Sequence, residues 1–189
     1  MRVSTSFAVL VFLAAFAAGA RAQGAAGPAD EARDYGVAVG ANLRLGDHAS
    51  PTPVSIPGAR LVSTADLRAA LDGPPESRPL VFDVLGGTGH DSIPGAIWLA
   101  DAGRGSSFED EIQALLGRTL ELLTRGNRAR PMVFLCASPR CWLSYNAALR
   151  AVRLGYTAVG WYRGGIDAWV AAGGDTAPMR VAWRRPAGD

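Results

Sequence analysis

The sequence contains no lysine; all 19 of its basic residues are arginine. With 23 glycines and abundant alanine alongside, that usage reads as coding bias rather than selection for arginine chemistry. Histidine and cysteine are almost as scarce, with two of each. Only His48 and His90 could join Cys136 and Cys141 around a zinc ion, and neither stands at metal-ligand spacing. No metal and no cofactor is therefore expected. Beyond the N-terminal leader, no apolar run approaches the roughly 20 residues that a membrane span requires. Charged residues make up only 19% and apolar residues 49%, which excludes disorder for most of the length. A chain of 189 residues suffices for one ordinary domain and is too short for two full-sized ones.

The first 22 residues have the layout of an export signal. Met1-Arg2 gives a short positive start, and Phe7 to Ala18 is an apolar run of signal length. Ala20-Arg21-Ala22 then supplies a small-x-small cleavage pattern before Gln23. Cleavage there leaves 167 of the 189 residues and removes Arg2 and Arg21, so 17 arginines face 17 acids. The basic balance belongs to the leader. Neither nucleic acid nor, after cleavage, a membrane is an expected partner. The export route leads to the periplasm, an oxidising compartment.

Residues 23–59 read as an extended arm. Gln23 to Arg33 is a flexible lead-in, and Tyr35 to Leu45 alternates weakly enough for one short strand. Pro51, Pro53 and Pro57 keep the following stretch out of helix. The domain spans residues 60–175, and 176–189 form a C-terminal tail. Within the domain, Ser63-Thr64 opens a short capped helix and Pro79 to Leu85 is a buried strand. Gly86 to Asp91 is a glycine-rich loop, and Ile93-Pro94-Gly95-Ala96 turns into a short strand at Ile97-Trp98-Leu99. Phe108 to Thr124 has helical spacing, and Pro131 to Cys136 is a second buried strand. Ser138-Pro139 opens a helix that runs to about Leu154. Thr157 to Tyr162 is a further strand, and Ile166 to Ala172 a last short helix. Such alternation specifies an α/β fold with a small parallel sheet flanked by helices on both faces.

Two cysteines dominate the chemistry. Cys136 stands at the C-terminal end of a predicted central strand, the edge at which open parallel sheets bind ligands. A helix N-terminus and Arg140 nearby both favour a thiolate there. The competing reading is an inert core cysteine. Cys141 follows five positions later. On a regular helix that spacing puts the Cα atoms roughly 8 Å apart, too far for a disulfide. A loop that curls back would bring them within about 6 Å, so a reversible dithiol is feasible. Around the pair, Ala137, Ser138, Arg140 and Trp142 are candidate substrate contacts. Asp83, at its strand end, and His90, in the loop beyond, are weighed either as polar groups near the thiol or as a backbone cap and an exposed ring. Arg150 and Arg153 read as a solvated helix face.

Phe82-Asp83-Val84, Ile93-Pro94-Gly95-Ala96, Val133-Phe134-Leu135-Cys136, Leu154-Gly155-Tyr156 and Gly164-Gly165-Ile166-Asp167-Ala168-Trp169, in that order, resemble the rhodanese-like superfamily. The resemblance implies that Cys136 occupies the place of the sulfur-carrying cysteine, which takes a sulfane sulfur as a persulfide. A narrower resemblance links His90 to Leu99 and Cys141 to Ala148 with the PQQ-dependent catabolism-associated CXXCW-motif proteins, which are exported and rhodanese-like. Three functions follow as expectations. The first is dithiol redox or persulfide transfer through Cys136 with Cys141, beside a periplasmic redox or quinoprotein dehydrogenase partner. The second is a non-catalytic accessory module for a quinoprotein dehydrogenase, and the third a thiosulfate-type sulfurtransferase. The leader makes its own prediction: the exported protein begins at Gln23 and stays soluble. Intact mass of the periplasmic product checks it, and a full-length membrane-bound chain would refute it.

Overall fold

The computed structural model describes residues 31–183. The leader at 1–22, the Gln23 start, most of the lead-in and the last six residues of the tail lie outside the described residues. In chain order the elements are β1 (Arg60–Leu61), α1 (Thr64–Asp72), β2 (Leu80–Asp83), β3 (Asp91–Ser92), β4 (Ile97–Leu99) and α2 (Glu111–Thr124). There follow β5 (Met132–Leu135), α3 (Trp142–Arg153), β6 (Val159–Tyr162), α4 (Gly165–Ala171), β7 (Ala177–Pro178) and β8 (Val181–Trp183). Six strands form one parallel sheet in the order β1-β6-β5-β2-β4-β8, and β3 pairs antiparallel with β7 apart from it.

The central strands β2, β5 and β6 are almost wholly apolar, Asp83 at the end of β2 excepted, because both faces of the sheet are covered. Successive side chains point to opposite faces. Phe82, Met132, Phe134, Val159 and Trp161 meet Leu116 and Leu120 of α2 and Tyr145 and Ala148 of α3. Val81, Val133, Leu135 and Tyr162 meet Leu67 of α1 and Ala168 and Trp169 of α4. Phe82 and Phe134 stack across the β2–β5 pair at 5.1 Å between centroids. Each such buried aromatic or aliphatic side chain contributes about 1.5–3 kcal/mol. The helices start where their caps are. Ser63 and Asp66 close a capping box on α1, and Asp110 accepts the Gln113 N–H at the start of α2.

Four local expectations change. Tyr35 to Leu45 forms no strand; the arm lacks a ladder partner and is pinned instead by buried side chains of α3. Gly40 N–H donates to Tyr145 Oη, which donates in turn to the Gly40 carbonyl. The Asn146 amide exchanges two hydrogen bonds with the Arg44 backbone, at 2.9 Å each. Helix α3 starts at Trp142, not at Ser138, because Ser138 to Cys141 is a turn closed by Cys141 N–H on the Ser138 carbonyl. The tail is partly structured. Val181–Trp183 adds β8 to the open edge of β4, which satisfies backbone groups there.

Arg150 is the fourth correction. It is not on a solvated face; its side chain is fully buried, whereas Arg153 is exposed. Its guanidinium donates to both carboxylate oxygens of Asp110, to Gln113 Oε1 and to the carbonyls of Arg104 and Ser107. Burial pushes the Asp110 carboxyl up, but Arg150 and the Gln113 and Ser107 N–H groups outweigh it and hold it below the ordinary value. Removing one member of such a buried pair strands the other charge. Arg150→Ala should therefore cost about 3–5 kcal/mol, and Arg153→Ala about 0.5 kcal/mol or less, both read by urea unfolding. Because the folded Asp110 value is depressed, its contribution is complete above about 3.8 and disappears as pH falls through the folded value. The acid limb of stability should be shallower in Arg150→Ala; equal limbs would refute the pairing.

Candidate functional site

Strand β5 ends at Leu135, and the next residue, Cys136, begins a tight loop into α3. A disulfide joins Cys136 to Cys141, whose Cα atoms stand 6.1 Å apart. The loop curls back because its carbonyls are taken up by other parts of the chain. Ile166 N–H, in the first turn of α4, donates to the Cys136 carbonyl at 3.0 Å, and Asp167 N–H to that of Ala137 at 2.9 Å. Gly165 lies between them at φ +65°, and a Cβ there would collide with the Cys136 and Ala137 carbonyl groups. That is a position only glycine fills without strain. On the other side, Thr52 donates its N–H and its hydroxyl to the Pro139 carbonyl, at 3.1 and 2.6 Å.

The arm completes the enclosure. Trp142 N–H, the first amide of α3, donates to the His48 carbonyl at 2.9 Å, and the Trp142 indole to the Pro51 carbonyl at 3.0 Å. Buried Arg163 binds the Thr52 hydroxyl and carbonyl and the carbonyls of Glu31 and Arg33. Arg44, above the Trp142 ring, adds a cation–π contact. The result is a cavity of about 870 Å³ with three walls. Ala137, Ser138, Arg140 and Cys141 form one; Leu85 to Gly87 with Asp101 and Arg104 form another; Asp47, His48 and Ala49 of the arm form the third.

This places the predicted residues unevenly. Cys136 is 1% exposed and Cys141 9% exposed, and only Cys141 reaches the cavity. Cys141, and not the strand-end Cys136, is the more accessible sulfur. Cys136 still belongs to the packed end of β5, under its own loop, while Cys141 occupies the N-cap of α3 without a side-chain cap bond. The positive end of the helix dipole therefore lies at Cys141. Ala137, Ser138 and Arg140 are in the cavity wall; Trp142 faces the arm instead.

Asp83 and His90 are brought together, but outside the cavity. Asp83 is buried at the end of β2; its Oδ1 accepts the Leu85 N–H and its Oδ2 bonds His90 Nε2, both at 2.8 Å. His90 is not an exposed ring: it stands edge-on to Trp98 at 4.7 Å, with 16% of its side chain exposed. Trp98 in turn donates to the Leu85 carbonyl. The trio therefore fixes the start of the glycine-rich loop that forms one wall.

His48 is the cavity residue that sequence reasoning weighed only as a metal ligand. Nothing local marks it, because Asn146 and Trp142, far along the chain, hold its segment in place. Burial, then the Arg104 charge, lower its pKa below 6.5, so the imidazole is neutral at pH 7. Among the described residues no three His, Cys, Asp or Glu side chains cluster to hold a metal ion.

A family model described as the rhodanese-like domain matches residues 63–172. The curated proteins give no match. Among solved structures, the chain is similar to a thiosulfate sulfurtransferase from Pseudomonas aeruginosa, at 20% identity and a TM-score of 0.45 over 63% of this chain. It spans only 20% of that protein's length. It is also similar to the rhodanese-like domain of an Anabaena sp. protein, at 22% identity and a TM-score of 0.46, over 68% of this chain and 86% of that one. With the family model covering most of the chain from α1 to α4, around a parallel sheet that carries a cysteine at the end of its central strand, the protein belongs to the rhodanese-like domain family.

Proposed function

We propose that the protein is an exported thiol protein that works through Cys136 and Cys141 together, by disulfide exchange or persulfide transfer. One observation carries this reading: a disulfide between the only two cysteines, with one sulfur in the wall of a cavity and the other buried behind it. An incoming thiolate attacks Cys141 Sγ; the new S–S bond forms there and the electron pair of the old one goes to Cys136. A second thiolate then displaces Cys141, leaving the protein dithiol and an oxidised substrate. In the sulfur-transfer direction, the Cys136 thiolate takes the outer sulfur of a persulfide, whose own thiolate leaves. Attack by Cys141 on Cys136 Sγ then restores the disulfide and expels hydrosulfide. Thiosulfate-type transfer through Cys136 alone requires the disulfide to open first.

The segments His90 to Leu99 and Cys141 to Ala148 support a setting beside PQQ-dependent alcohol oxidation, with a periplasmic redox protein or a quinoprotein dehydrogenase system as partner. The leader supports the periplasm as the compartment.

Single-cysteine variants test the order of events. Cys136→Ser leaves Cys141 at the cavity and should trap glutathione as a mixed disulfide. Cys141→Ser leaves only the buried sulfur, which should react at least about tenfold more slowly. Mass spectrometry of the folded proteins reads both. Reduction of the wild-type disulfide only in denaturant would reject the reading.

A further inference from the structure

We infer that His48, on the N-terminal arm, is the proton acceptor that activates a thiol substrate at Cys141. The inference rests on the thiol-exchange reading above and assigns a residue outside the α/β domain to its chemistry.

Geometry fixes the chemical state of the ring. His48 Nε2 stands 3.0 Å from the Arg44 carbonyl. A carbonyl only accepts, so Nε2 carries the hydrogen and Nδ1 of the neutral ring keeps the lone pair. Nδ1 has no hydrogen-bond partner among the described residues. The Arg44 backbone cannot drift, because the buried Asn146 side chain accepts its N–H and donates to its carbonyl. The same amide also donates to the Gly103 carbonyl at 2.8 Å. The backbone of His48 is anchored separately, by Trp142 N–H, one residue beyond Cys141. An oriented imidazole on the arm wall thus lines the same cavity as the accessible sulfur.

Burial first, then the charged groups around it, hold the ring neutral. Arg104 and Arg44 act against protonation and Asp101 favours it; Asp47 pairs with Arg44, and Asp101 with Arg104. Arg140 is the remaining cation of the cavity wall. A neutral imidazole is the form that takes a proton, and small thiols are mostly protonated at pH 7. The step balances without a co-reactant. The substrate S–H proton moves to Nδ1, substrate sulfur bonds Cys141, and the Cys136–Cys141 bond breaks. The imidazolium then releases its proton to solvent, and Cys136, in apolar surroundings, takes one from solvent and finishes as a thiol, so one proton is gained for the one the substrate loses and the ring ends neutral.

The experiment follows glutathione reduction of the wild-type disulfide and of His48→Gln and His48→Asn, from pH 5.5 to 9. Without the imidazole, the rate should track the thiolate fraction and fall about tenfold per unit below the thiol pKa. The wild type should hold a much flatter profile, with an advantage of up to about a hundredfold at pH 6.5 that closes near pH 9. A second readout needs no turnover. In ¹⁵N-histidine spectra at pH 7, the resonances lost in His48→Gln should report a protonated Nε2 and an unprotonated Nδ1. Parallel pH profiles, or the opposite tautomer or a charged ring, would overturn the role of His48 and leave thiol exchange standing. A wild-type disulfide inert to glutathione at every pH would overturn both.

Discussion

The structure depends on one constraint: the chain must pass from β5 to α3 through a few residues, with Cys136, Pro139 and Cys141 buried. An unpaired buried carbonyl costs about 1–3 kcal/mol. Three such carbonyls, at Cys136, Ala137 and Pro139, are satisfied by α4 and by Thr52 of the arm. The glycine at 165, the buried Arg163 and the course of the arm all serve that one loop. The disulfide is the covalent part of an enclosure that is otherwise built from hydrogen bonds.

Helix α3 carries the second layer of organisation. Tyr145, Asn146 and Arg150 are buried polar side chains on a helix that otherwise packs against the sheet, and between them they hold the arm and the segment from Gly103 to Asp110. Tyr145 holds Gly40, Asn146 holds Arg44 and Gly103, and Arg150 holds the segment from Arg104 to Asp110. Burial keeps the Tyr145 phenol protonated into the alkaline range, although the Gly40 N–H that donates to its oxygen acts the other way. The cavity walls are therefore fastened to the same helix whose N-terminus bears Cys141.

The strands and helices of the domain were legible because their signals are local. Apolar runs at Leu80–Phe82 and Met132–Leu135, and leucines at helical spacing in 111–124, depend only on neighbours in the chain. The cysteine pair was legible for the same reason. What escaped was set by distant partners. Arg150 looks like a surface arginine until Asp110 is placed against it, and His48 is an isolated ring in a proline-flanked arm until Trp142 and Asn146 fix it. Helix α3 begins late because the turn at Ser138 and the clamp from Thr52 outweigh the favourable Ser-Pro opening. Cys136 is hidden for a related reason: its accessibility is decided by what covers the loop, and the covering residues lie in α4 and the arm.

The arm has a further consequence for how the protein is divided into parts. The stretch that matches the rhodanese-like domain begins at residue 63, yet Asp47, His48 and Ala49 form one wall of the cavity. A cut made at the boundary of the recognisable fold would keep the sheet, the helices and both cysteines and discard the lining that faces them. The unit of folding and the unit of chemistry are therefore different lengths of chain. Specificity in such a protein can diverge by change in an appendage while the scaffold and its sulfur atoms stay in place.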